Sequence, residues 1–140
     1  MRIAFALLVL VGGCSDSDLE GEFTVHRTMT NYEACPPYES PIDFPVSITA
    51  ECVESPIAAD VVCEPVTRVD GELQFELSER WNAGPGIPNG YPSYVAAGVS
   101  YMLREEGDRL VGTAMGHYAY HTETTGDDCY YVWDVTATPN

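Results

Sequence analysis

Polar and apolar residues alternate along most of this sequence, with the period of two that belongs to β-strands burying one face. From Gly21 to Thr30, Phe23, Val25 and Met29 face one way. Glu22, Thr24, His26, Thr28 and Thr30 face the other, and Arg27 interrupts the apolar side. Phe44 to Val53 repeats the pattern with Phe44, Val46, Ile48, Ala50 and Cys52. Val66 to Val69 and Glu72 to Glu79 flank Asp70-Gly71, a pair that supplies the positive φ angles of a tight hairpin turn. In the second arm Leu73, Phe75 and Leu77 share a face. Tyr94 to Glu105 and Arg109 to Thr122 form a longer hairpin about Glu106-Gly107-Asp108. Cys129 to Thr138 is the last strand, with Tyr131, Trp133, Val135 and Ala137 on one side.

The connections carry their own signals. Asn31 to Asp43 holds Pro36, Pro37 and Pro41 and reads as a loop, because proline breaks a central ladder. Ser55 to Pro65 suits either a helical turn or a short strand. Trp81 to Ser93, with three glycines and three prolines, is the longest irregular stretch, and long loops on compact domains often carry function. Gly98, Gly112 and Gly116 lie inside strands, where glycine marks a bulge, a bend or a close backbone approach. Short strands separated by turn signals predict an all-β fold. The expectation is a small antiparallel β-barrel or sandwich of about seven to eight strands, meander-like and tilted towards the barrel.

The start of the chain is different. Met1-Arg2 is basic, Ile3 to Val11 is an apolar run of nine residues, and Gly12-Gly13-Cys14 follows before an abrupt turn to Ser15-Asp16-Ser17-Asp18. That order is the signature of an exported chain. The run is too short to cross a bilayer, which takes roughly 20 apolar residues. Val11-Gly12-Gly13-Cys14 resembles the lipobox of bacterial lipoproteins. The resemblance implies a signal peptide at residues 1–13, cleavage before Cys14, and acylation of Cys14 with diacylglycerol and palmitate. It implies a lipid-anchored protein of the bacterial cell envelope, facing the periplasm or the surface, with Ser15 favouring the outer over the inner membrane. Residues 14–20 are then the lipidated cysteine and a short polar tether, and residues 21–140 one β domain. Leu19-x-Gly21-x-Phe23, opening the first strand with a cysteine soon after, loosely resembles lipocalin-like (calycin) lipoproteins, although Phe23 stands where their tryptophan would be.

Charge narrows the partners. After Cys14 the chain has no lysine, and five arginines stand against 22 acidic residues, a formal charge of −17. Such a surface repels nucleic acid and anionic headgroups, so the membrane is met through the lipid alone. No EF-hand loop is present.

Cys35, Cys52, Cys63 and Cys129 remain, an even number in an exported small domain, which reads as two disulfides. Three pairings are open. Cys52 and Cys63 enclose a short loop suited to a local bridge, and Cys35 with Cys129 would then tie the start of the domain to its last strand. Zinc is not expected, since no CxxC occurs.

Catalytic chemistry finds no foothold. Gly-x-Ser-x-Gly, a phosphate-cradling loop and a dinucleotide fingerprint are all missing. His117 and His121 share a strand face but would sit about 13 Å apart, too far for one metal ion. No cofactor or metal is expected. The enrichment that invites a hypothesis is aromatic. Trp81, Tyr91 and Tyr94 flank the Gly/Pro loop, and Tyr118, Tyr120, Tyr131 and Trp133 lie on the last two strands. Flat rings with polar edges suit sugars, peptides and small amphiphiles. The favoured reading is a non-catalytic binding module for a small apolar or aromatic ligand or an envelope glycan. The alternative is a protein-interaction or protease-inhibitor-like barrel.

Overall fold

Five long strands and five short ones are built from these alternating stretches. A computed structural model describes residues 19–33, 38–60, 62–121 and 126–140. In chain order the strands are β1 (Gly21–Glu33), β2 (Tyr38–Glu39), β3 (Asp43–Ile48), β4 (Cys52–Glu54), β5 (Glu64–Pro65), β6 (Thr67–Val69), β7 (Glu72–Ala83), β8 (Tyr94–Glu106), β9 (Arg109–His121) and β10 (Gly126–Pro139). The signal segment 1–13, Cys14, most of the tether and Cys35 lie outside the described residues.

All pairings are antiparallel, and the strands form one sheet in the order β2-β7-β8-β9-β10-β1-β3-β4-β5, with β6 also on β7. The expectation of an all-β antiparallel fold holds, and the described residues contain no helix. Two finer expectations are corrected. Among the described residues there are ten strands, not seven or eight, because the Phe44–Val53 stretch divides into β3 and β4, and β2 and β5 are too brief to show a period in sequence. The ladder does not close into a barrel. A seam remains along β7, where β6, a single bridge from Ala58 to Glu79, and β2 each cover only part of its outer edge. One disulfide is seen among the described residues, Cys52–Cys63, with Cα atoms 5.3 Å apart. It clips β4 to the start of β5. Cys129, fully buried at the head of β10, is disulfide-bonded as well, and Cys35, its expected partner, lies outside the described residues.

Local chemistry explains the turns. Asp70 and Gly71 both have positive φ, 51° and 77°, the turn that Asp-Gly favours. Gly107, at φ 69°, turns β8 into β9. Inside the strands, Gly112 is forced by contact: a Cβ there would lie 1.9 Å from the Met102 carbonyl oxygen of β8.

The inner face is continuous from strand to strand. Phe23 and Val25 (β1), Phe44, Val46 and Ile48 (β3), Leu73, Phe75 and Leu77 (β7), Val99 and Leu103 (β8), Leu110 and Ala114 (β9), and Val135 and Ala137 (β10) are all buried in one core. Polar residues between them face water, so burial follows the alternation read from the sequence.

The two poles of the sheet differ. At one, the Leu19 backbone N–H donates to Glu105 Oε1 at 3.0 Å, beside the β8–β9 turn, and β1 begins. At the other, β1 ends, β7 leads into the 84–93 loop, and aromatic residues gather. We call the first the proximal pole and the second the distal pole.

Candidate functional site

The distal half of the core is aromatic and polar, and the register brings it together. On β7 the inward positions continue past Leu77 through Glu79 to Trp81. On β1 they continue past Val25 to Arg27, and on β8 Tyr101, opposite Phe75 and one inward position nearer the proximal pole than Val99, bonds to the same group. Arg27 and Glu79 are 1% and 0% exposed. Arg27 Nη2 donates to Glu79 Oε1 at 2.7 Å, and Nη1 donates to Glu79 Oε2 at 3.0 Å. Nη1 also donates to the Tyr101 hydroxyl at 2.6 Å, and Nε to the Pro41 carbonyl at 2.7 Å. Tyr101 in turn donates to Glu79 Oε2 at 2.7 Å, and Trp81 Nε1 donates to Glu79 Oε1 at 2.9 Å. The guanidinium lies over the Trp133 ring at 4.4 Å and the Phe44 ring at 5.0 Å.

A buried ion pair is tolerable only when its geometry is good and its remaining donors and acceptors are satisfied. Here the pair is bidentate and both carboxylate oxygens take a further bond. Burial, and then the neighbouring Glu79, push the Tyr101 hydroxyl well above the usual tyrosine pKa, so it stays a donor. This cluster has the connectivity of a structural lock. Both charges are spent on each other.

Around it, four of the expected ligand-binding aromatics are brought together, but as core. Trp81, Tyr118, Tyr131 and Trp133 are 4% exposed or less. Trp81 meets Tyr118, Tyr131 and Trp133 edge-on, with ring centroids 5.1 to 5.8 Å apart. Gly116 makes this packing fit, since a Cβ there would lie 2.7 Å from Trp133 and 3.0 Å from Trp81. These four rings, expected at a ligand site, are placed in the core. Their inward register fills the interior, leaving the rings to pack on one another. Tyr91 is half-buried against the core. Tyr94 is exposed, with the Arg80 guanidinium stacked 3.7 Å from its ring centre. The side chain of Tyr120 lies outside the described residues.

His26 and His117 are exposed on the outer face, and the side chain of His121 lies outside the described residues. His26 Nδ1 is 2.6 Å from Asp43 Oδ1. His117 stacks on Tyr130 and lies 3.6 Å from Asp128. The sulfurs of Cys52 and Cys63 sit close to the Glu54 carboxylate, but they are bonded to each other and offer no thiolate to a metal.

A cleft opens in the distal half of the seam. It measures about 420 Å³ and lies between β1 and β2, within the size range of ligand pockets. Its floor is Trp133, Tyr38 and the Arg27 stem. Met29, Ile42 and Glu39 form its rim. Met29 and Ile42 are 41% and 58% exposed. Tyr38 is fixed from behind, its hydroxyl donating to the Pro92 carbonyl at 3.0 Å and its ring edge-on to Tyr118.

Sequence reasoning missed Arg27, Glu79 and Tyr101 as a unit. The signal for Glu79 was present: it holds the inward register between Leu77 and Trp81. No protein-family model matches this chain, and no curated protein or solved structure matches it either.

Proposed function

We propose that the protein is a non-catalytic binding module, held to the bacterial cell envelope by a lipid on Cys14, which engages its partner at the distal cleft. The lipobox-like Val11-Gly12-Gly13-Cys14 supports the anchor. One observation supports the rest: Leu19, five residues after Cys14, is tied to Glu105 at the pole opposite the cleft. Five residues reach at most about 17 Å, so the proximal pole faces the bilayer. The strand from Gly21 to Met29 then carries the cleft outwards along roughly 26 Å of backbone. Met29 and Ile42 are presented where a partner arrives from outside. The filled interior argues for recognition at the edge of the fold rather than within it. No residue is given a catalytic role.

Membrane fractionation with intact-mass measurement tests this. The native protein is expected in the outer-membrane fraction, beginning at an acylated Cys14. Cys14→Ser is expected to lose the acyl mass and leave the membrane. A Cys14→Ser protein that stays membrane-bound overturns the anchor.

A further inference from the structure

We propose that the distal cleft receives an extended peptide segment of a partner protein, which adds as a strand to the free edge of β1 and alternates apolar with basic residues. The proposal rests on the reading of the cleft as the binding site and names its occupant.

The backbone gives the first argument. β3 pairs with β1 only from Gly21 to His26. The last backbone bond on that side is Arg27 N–H to the Ile42 carbonyl, 2.9 Å. On the other side, β10 continues along β1 as far as Glu33. From Thr28 onwards, among the described residues, no strand pairs with the β3 side of β1. Among the described residues β2 is likewise paired on one side only, with β7. Thr28 and Met29 of β1 and Tyr38 and Glu39 of β2 line the same cleft. A sheet edge left unpaired is a template for another strand.

The side chains give the second. In a strand, alternate residues point to opposite faces. Those pointing inwards meet Trp133, Tyr38, Met29 and Ile42, which suits aliphatic groups. Those pointing outwards meet the exposed carboxylate of Glu39 on a molecule of net charge −17 after Cys14. Arg27 does not repel a cation, because Glu79 neutralises it within the core. Charge complementarity therefore selects lysine or arginine at the outward positions.

The third argument concerns self-pairing. β1 carries a bulge between Met29 and Asn31, a common guard against edge-to-edge association. Two copies would also bring like charges together. The edge suits a basic partner better than a second copy.

The full-length protein in detergent micelles, at about 0.15 M salt, is titrated with a synthetic peptide alternating valine and lysine. The expected result is saturable binding, with slowed amide exchange at Thr28 to Tyr32. Two further peptides separate the terms. An analogue N-methylated along one edge keeps every side chain but blocks the ladder, and it is expected to bind about tenfold more weakly or worse. A serine–lysine peptide of equal charge is expected to lose binding similarly. Ile42→Arg, at an exposed position, is expected to weaken the valine–lysine peptide by about tenfold without unfolding the protein.

Equal binding of the N-methylated analogue, or unchanged exchange along β1, overturns strand addition. Equal binding of the serine–lysine peptide reduces the contact to net charge and overturns it too. If a small alkylammonium amphiphile binds and Ile42→Arg abolishes this, while β1 stays unprotected, the cleft is still the site and only its occupant is wrong. If neither peptide nor amphiphile perturbs the cleft, both readings fall.

Discussion

Arg27 and Glu79, 52 residues apart in sequence, meet inside the sheet as a two-pronged ion pair, Nη2 to Oε1 at 2.7 Å and Nη1 to Oε2 at 3.0 Å. Neither side chain touches water. The pair joins β1 to β7, which are not neighbours in the ladder, so it spans the core where the seam stays open. Its bonds to Tyr101, Trp81 and the Pro41 carbonyl recruit β8 and the β2–β3 connection as well.

Breaking this pair from one side strands a buried charge. Arg27→Met is expected to destabilise the fold by about 3–5 kcal/mol, and Glu79→Leu by a similar amount. The double variant is expected to recover most of that loss, because neither charge is left alone. Urea unfolding of the four proteins measures the coupling. Additive losses would show that the two residues act separately.

Tyr101 gives the fold an alkaline limit. In an unfolded chain a tyrosine ionises near pH 10, whereas Tyr101 is held well above that, first by burial and then by Glu79. The stability tied to its neutral form is complete below about pH 10 and falls as the pH climbs towards its raised pKa. Tyr101→Phe is expected to cost about 1–3 kcal/mol at neutral pH. The gap to the native protein is expected to narrow above pH 10. Urea unfolding at neutral and alkaline pH checks it, and a constant gap would refute it.

Gly116→Ala puts a methyl into the space used by two indoles. Overpacking of this kind costs about 1–3 kcal/mol. The near-ultraviolet circular dichroism of Trp81 and Trp133 is expected to change with it. Trp133→Phe in the same molecule is expected to restore part of the loss, since the smaller ring yields the space.

The Cys52–Cys63 bridge closes a loop of separation 11. Replacing both cysteines by serine is expected to lower stability by about 3 kcal/mol by the loop-entropy argument. Cys52 is 8% exposed, so a serine hydroxyl buried there adds a native-state cost to that of the freer unfolded chain. Thermal unfolding of the double variant measures it.

Much of this architecture was legible because alternation is local. Phe23 and Val25, Leu73 to Leu77, and Tyr131 to Ala137 all took the face that their spacing predicts. Of the bulge, bend or close approach that an in-strand glycine signals, Gly112 shows a close approach to backbone and Gly116 one to two indole side chains. Other features depend on distant partners. Glu79 looked like the polar end of its strand, yet β7 runs on to Ala83, because Arg27 on another strand supplies the opposite charge. Trp81 looked like the opening of a loop for the same reason. Aromatic enrichment suits a ligand site as well as a core, and the inward register of Trp81, Tyr118, Tyr131 and Trp133 makes it packing. The cleft was invisible, since it arises where β3 stops pairing with β1 and β2 joins β7.

The contact of Gly116 with Trp81 and Trp133 also constrains how this sequence can drift. A side chain gained at position 116 is acceptable only after a ring has shrunk at 81 or 133, and a ring lost first leaves a void that a later methyl can fill. Substitutions at these three sites are therefore ordered in time, and descendants of this chain should inherit them as a set rather than one by one.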